Sequence, residues 1–245
     1  MPPVPQPRFL RSGDTALVVE FGDRIDRDIS ARVLSLAGLI EAAAIPGVVE
    51  VVPTFRSLMV HYEPLALPHC ELEQRLGPLI DRIRIEERPG RRWRVPACYD
   101  ADAGPDLAEV AERTGLSVAQ VIERHSATEF HVYMMGFLPG FPYMGTLPAE
   151  LELPRRENPR LRVPSGSIAI AMAMSTVYTL ESPGGWHLLG RTPVLMWDPR
   201  RAEPTLVAAG DKVMFTPVSR REYETILAQA TAGTYDLRPD GEARA

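Results

Sequence analysis

The sequence predicts an α+β chain in two parts, a small α+β unit followed by a longer region of closely spaced strands. Three observations carry that expectation. Over roughly the first ninety residues, apolar patterns alternate between period 2 and period 3.6 in the order β-α-β-β-α. Between Phe137 and Asp198, Gly, Pro and aromatic residues are dense and acidic residues few, which no helical period fits. Between these stretches, Arg88-Pro89-Gly90-Arg91-Arg92 breaks a helix and supplies a charged joint, its arginines read as solvated or as a phosphate site. The expected organisation is therefore a domain over 1–88, a second over 92–230, and a loose tail over 231–245.

Each element has a local reason. Ala16–Phe21 is strand-like and bracketed by Gly13-Asp14 and Gly22-Asp23. Ile29, Val33, Leu36, Ile40 and Ala43 set a helix over 28–44, which Pro46-Gly47 ends. Val48–Val52 and Ser57–Tyr62 read as an antiparallel pair, and Leu72, Leu76, Leu79, Ile80 and Ile83 set a second helix over 70–86. In the second part, Trp93–Tyr99 is a strand. A short helix then starts at Pro105-Asp106 and stops at Gly115. Ser117 with Gln120 gives a capping box for the next helix, ending near His125, and Ser219 with Glu222 caps a last helix over 220–229.

Composition narrows the functional classes. The 245-residue chain is 45% hydrophobic and 24% charged, ordinary globular values, and its net charge of −5 argues against nucleic acid. No apolar run approaches the length of a membrane span, and Met1–Pro7 lacks the basic and apolar regions of a signal peptide and reads as a frayed tail. Cys70 and Cys98 fit no ligand motif, so a reduced cytoplasmic setting is expected. Lys212 is the single lysine among 27 basic residues, and no phosphate-binding G-x-x-x-x-G-K-[ST] loop occurs. The histidines outside the Gly-rich region have no metal-ligand company, so no metal is expected on this chain.

Candidate site residues concentrate in two segments, Gly136–Gly145 and Glu181–Pro193. Glu181 and His187 suit proton work if a short loop brings them to one mouth, or are a rim glutamate and a solvent histidine. Arg191 can grip a carboxylate or phosphate, or clamp a loop carbonyl. These three are the catalytic candidates. Pro183-Gly184-Gly185 suits a type II turn with positive φ, and bare backbone there also admits close ligand approach. Pro139-Gly140-Phe141-Pro142-Tyr143 reads the same way, with Tyr143 as the polar tip, and Trp186 reads as a core anchor or a stacking platform. Arg155, Arg156, Arg160 and Arg162 form a basic strip, either solvated or facing an anionic partner. The binding candidates for substrate or nucleotide are Gly140, Tyr143, Arg155, Gly166, Gly184, Gly185 and Thr192.

Through Pro139-Gly140-Phe141-Pro142-Tyr143 and Glu181-Ser182-Pro183-Gly184-Gly185-Trp186 with Gly190-Arg191-Thr192-Pro193, the chain resembles the KipI family, also called allophanate hydrolase subunit 1. That family includes the B subunit of bacterial 5-oxoprolinase. Gly13-Asp14, Ser117-Val118, His125-Ser126, Arg162-Val163-Pro164 and Ala209-Gly210-Asp211 fall in the family's order, so the resemblance covers nearly the whole chain.

The resemblance implies a small N-terminal α+β domain followed by a cyclophilin-like β-barrel. It implies partners as well, an allophanate hydrolase subunit 2-like protein (the 5-oxoprolinase C subunit) and a LamB/YcsF-like protein (the A subunit). Such a complex opens 5-oxo-L-proline to L-glutamate using ATP, bound with or by a partner subunit. Two other roles occur in the family, inhibition of a histidine kinase and the carboxyltransferase component of a urea-carboxylase-type system. No biotin-carrier motif occurs here, so biotin would come from another chain. One segment departs from the family pattern. Many members have Gly-Gly-Gln ahead of the tyrosine matching Tyr178, where this chain has Ala171-Met172-Ala173-Met174-Ser175-Thr176. A ligand contact made there in relatives is therefore not expected to carry over.

Overall fold

The computed structural model describes residues 6–85 and 90–241. The chain forms two compact units, Met1–Arg88 and Pro89–Ala245. Most of the N-terminal tail, Arg88 and Pro89 of the expected joint, and the last four residues lie outside the described residues.

In the first unit, β1 (Arg8–Ser12) and β2 (Ala16–Glu20) form a hairpin, followed by α1 (Arg27–Ala43), β3 (Val48–Pro53), β4 (Ser57–Tyr62) and α2 (His69–Asp81). The sheet order is β1-β2-β4-β3, antiparallel throughout. Asp26 starts α1 by accepting from the Asp28 and Ile29 backbone N–H groups. The buried stripe Val33, Leu36 and Ile40 packs with Leu17, Val19, Leu58, Val60, Leu72 and Leu76 into one core. β1 has no counterpart in the sequence reading, because its residues are nearly all exposed and carry no apolar alternation. α2 stops at Asp81, short of the expected 86.

In the second unit, β5 (Arg92–Ala97) is followed by α3 (Leu107–Thr114) and α4 (Val118–Ala127). β6 (Phe130–Met135), β7 (Pro142–Gly145), β8 (Arg160–Val163), β9 (Ser167–Ala171), β10 (Met174–Val177), β11 (Ser182–Gly184), β12 (His187–Arg191) and β13 (Lys212–Pro217) come next, and α5 (Arg220–Ala232) last. Among the described residues, seven strands make one sheet in the order β12-β9-β10-β7-β6-β13-β5. Its two ends meet where Cys98 and Arg191 exchange both backbone hydrogen bonds at 2.8 Å, closing a barrel. β8 and β11 form a separate two-stranded ribbon. Both capping boxes form, at Ser117 and Ser219, and Gly115 takes the left-handed C-cap at φ 68°.

Inside the barrel, His125 is fully buried and stacks on Phe215 at 5.0 Å. Its ring bonds the Tyr99 hydroxyl (2.9 Å) and the Ser175 hydroxyl (3.0 Å). Burial pulls its pKa down to about 3. The segment that departs from the family pattern is thus mainly barrel wall: Met174, Ser175 and Thr176 are buried, and Thr176 donates to the Pro142 carbonyl (2.6 Å). Its exposed residue is Met172, held at φ +52°, a conformation glycine adopts more readily. The tail is a correction. Thr231 and Ala232 still belong to α5, Tyr235 and Leu237 pack on the barrel core, and Asp240 bonds the Arg92 carbonyl and the Arg94 guanidinium. Apolar side chains two residues apart give this segment a face to bury, so it is not loose up to residue 241.

Candidate functional site

A cleft of about 190 Å³ opens at the ribbon side of the barrel, lined by Phe137, Phe141, Tyr143, Arg155, Tyr178, Pro183, Gly184, Gly185 and Trp186. Both sequence segments contribute, one through the loop before β7 and the other through β11. The walls are aromatic. Phe141 packs edge-on against Phe137 (5.3 Å) and Tyr178 (5.2 Å), and Tyr143 lies edge-on to Trp186 at 6.1 Å. Phe137 is 61% exposed with φ +70°, so a bulky side chain is held at the rim in a costly backbone conformation. Trp186, 7% exposed, anchors the wall, and Arg155 sits with Cζ 5.9 Å from its ring centroid.

The titratable groups of the cleft are two phenols and one guanidinium. Burial, reinforced by the neighbouring Tyr143, pushes the Tyr178 hydroxyl up to about 12, against the opposing pull of Arg155 and Arg160. Burial raises Tyr143 too, with Arg155 again opposing. Both phenols are therefore neutral O–H groups near pH 7. Among the described residues, neither a carboxylate nor an imidazole lines the cleft. The site can bind and orient an anion, but its own walls hold no general base suited to neutral pH.

The sequence candidates divide accordingly. Tyr143, Arg155, Gly184 and Gly185 line the cleft. Glu181 does not: its side chain is 60% exposed, and its ion-pair partner is Arg162, 3.8 Å away. His187 is wholly buried, and its Nε2–H donates to the Pro154 carbonyl (2.9 Å). The expectation that a short loop brings Glu181 and His187 to one mouth is therefore corrected, because β12 turns the imidazole into the protein. Arg191 clamps the Ser165 carbonyl (2.7 Å) while its backbone closes the barrel. Thr192 is buried, its hydroxyl accepts from the Val194 N–H (3.1 Å), and its carbonyl lies 2.6 Å from where a Cβ on Gly166 would sit. Gly166 (φ +81°) and Gly140 (φ +70°, against Trp197) are likewise conformational. Gly184 is not in a positive-φ turn; it lies in β11 and leaves room for the Tyr178 hydroxyl, which any Cβ there would overlap.

The basic strip splits three ways. Asp106, 3% exposed, accepts from Arg156 (3.0 Å), from both terminal nitrogens of Arg160, and from the Leu188 N–H (2.7 Å). Arg156 also reaches Glu109 (3.0 Å), and Arg162 pairs with Glu181 at the surface. Arg155 is exposed and has no ion pair among the described residues. Its loop is held from several sides: by His187 at Pro154, by the Arg156 N–H on the Gly185 carbonyl (2.8 Å), and by the Met172 N–H on the Leu153 carbonyl (2.6 Å). Phe137, Phe141, Tyr178 and Pro183 are absent from the sequence candidates. The first two lie inside the aromatic Gly-Pro segment and signal themselves by composition; Tyr178 has no local signal.

One unit with a seven-stranded barrel and another with a small α+β fold are the two parts of a carboxyltransferase-type domain. The chain belongs to the family described as "Carboxyltransferase domain, subdomain C and D", whose model matches residues 7–207. It is 36% identical over 225 residues to the 5-oxoprolinase B subunit of Bacillus subtilis, covering 86% of this chain and 92% of that one. It is 41% identical over 208 residues to the 5-oxoprolinase B subunit of Escherichia coli O157:H7, covering 84% and 93%. The crystal structure of the K. lactis urea amidolyase shares the fold at a TM-score of 0.80 and 19% identity, covering 97% of this chain. This chain spans only 16% of that amidolyase. Among the described residues, no helix is long and apolar enough to cross a membrane, and no group of His, Cys, Asp and Glu could hold a metal.

Proposed function

We propose that this chain is one component of a multi-subunit, ATP-dependent 5-oxoprolinase, working in the cytoplasm, that opens 5-oxo-L-proline to L-glutamate. The observation that carries the reading is its 36% and 41% identity to the B subunits of two 5-oxoprolinases over more than nine-tenths of their lengths. The cleft supports it from the chemical side. A lactam is a resonance-stabilised amide, so opening it needs carbonyl activation and a proton to the leaving nitrogen. The cleft offers neutral donors and a cation but no acid–base pair. Those groups come from partner chains, one like the 5-oxoprolinase C subunit and one LamB/YcsF-like. At about 190 Å³ the cleft is smaller than pockets that enclose drug-sized ligands, so ATP is held with or by a partner.

The test is to co-express the chain with a 5-oxoprolinase C-like subunit and a LamB/YcsF-like subunit and follow glutamate released from 5-oxoproline, with and without ATP. ATP-dependent release that disappears when this chain is omitted is the expected result. An assembled, ATP-supplied complex that releases none overturns the reading and turns attention to kinase inhibition or carboxyl transfer.

A further inference from the structure

We infer that the cleft is a carboxylate-binding subsite complete within this chain, in which Arg155 receives the carboxylate of a small ring and the aromatic wall receives the ring. The ligand class deepens the 5-oxoprolinase reading and, for the identity of the ring, rests on it.

Four observations converge. Of the arginines on the 155–162 stretch, Arg156 and Arg160 are committed to Asp106, and Arg162 is paired with Glu181. Among the described residues Arg155 alone of the four has no ion pair, and it is the one that lines the cleft. Over Trp186 it engages no hydrogen-bond acceptor, so its N–H fork is available to a planar anion. Its loop is fixed on both sides by backbone hydrogen bonds and by His187, so little ordering is left for a ligand to impose.

Charge selects the anion. The lining carries one full positive charge and no negative one. A carboxylate neutralises it, whereas a phosphate dianion would leave a net negative charge against aromatic walls. The neutral hydroxyl of Tyr178 borders the same space and can donate. Shape selects the body. Phe137, Phe141 and Trp186 present ring faces and edges, and Gly184 and Gly185 leave the backbone bare, which suits a flat five-membered ring.

Titration calorimetry on the full chain tests this with four probes: 5-oxo-L-proline, cyclopentanecarboxylate, 2-pyrrolidinone and inorganic phosphate. The expected result is saturable binding of the two ring carboxylates, with 2-pyrrolidinone and phosphate at least tenfold weaker. Arg155→Gln should weaken both carboxylates at least tenfold and leave 2-pyrrolidinone unchanged. Arg155→Lys should restore part of the loss, with unchanged thermal melts in both variants. Three results overturn the inference: no saturable carboxylate binding, carboxylate binding indifferent to Arg155→Gln, or phosphate bound as tightly as the carboxylates.

The two readings fail separately. Arg155-dependent carboxylate binding in a chain whose assembled complex releases no glutamate keeps the subsite and removes the 5-oxoprolinase assignment. Turnover of 5-oxoproline with an unchanged KM in Arg155→Gln does the reverse.

Discussion

The Asp106 corner and the aromatic cleft are built from arginines of one short stretch, Arg155 to Arg160, yet they do opposite things. At the corner, Arg156 and Arg160 converge on a buried carboxylate that also accepts a backbone N–H. That carboxylate is used up in tying α3 to the loop and to β12. In the cleft, Arg155 meets an indole and no carboxylate. The difference teaches that a run of basic residues is not itself a site. What marks a site is a charge that the fold holds in place without neutralising.

Removing the corner's charge should have the largest effect. Asp106→Asn leaves two guanidiniums, about a quarter exposed, around a neutral acceptor, and should cost about 3 kcal/mol, read as a lower urea midpoint. Gly184→Ala comes next, at about 2 kcal/mol, because its methyl overlaps the Tyr178 hydroxyl and must displace that ring; carboxylate binding should fall with it. The buried His125 belongs with the corner as a group whose bonds are all internal. Its folded pKa, about 3, lies below the ordinary 6.5, so the unfolded chain binds the extra proton between those values. Stability should be full above pH 6.5 and fall on acidification, by at most about 1.4 kcal/mol per pH unit. Thermal melts of wild type and His125→Gln between pH 7 and 4 check this, the variant losing that part of the slope.

Met172→Gly relieves a left-handed methionine on the segment that braces the Arg155 loop, and should stabilise by about 1 kcal/mol. The smallest effect sharpens the contrast most. Arg155→Gln should shift stability by no more than about 0.5 kcal/mol, since no ion pair is lost. A large loss there would make Arg155 scaffold like its neighbours and erase the distinction between the two regions.

What is legible in the sequence are features with a local cause. The α1 stripe, both capping boxes and the Gly115 stop each depend on residues within one or two turns. Asp106 shows the limit. Its position suggests a helix cap, but its side chain makes no cap bond and instead takes partners about fifty to eighty residues away. Pro183-Gly184 looks like a turn by composition, but its bare Cα makes room for the hydroxyl of Tyr178, six residues earlier, a packing demand that the residue types do not announce. His187 is misread because four of the five β12 residues, starting with it, are buried, leaving no inside–outside alternation to read.

The seam at Cys98 and Arg191 also sets an order of events during synthesis. β5 is the first barrel strand to be made, but its partner on one side is β13, paired in parallel, and on the other the end of β12. Neither exists until the ribosome has added most of the second unit. The first unit can complete its own sheet and core from residues already made. β5 meanwhile waits with both edges open, and its buried residues Trp93, Val95 and Ala97 have no lasting cover. A chain released before Pro217 would therefore carry a finished first unit and an adhesive strand, a species for chaperones and proteases rather than a smaller working protein.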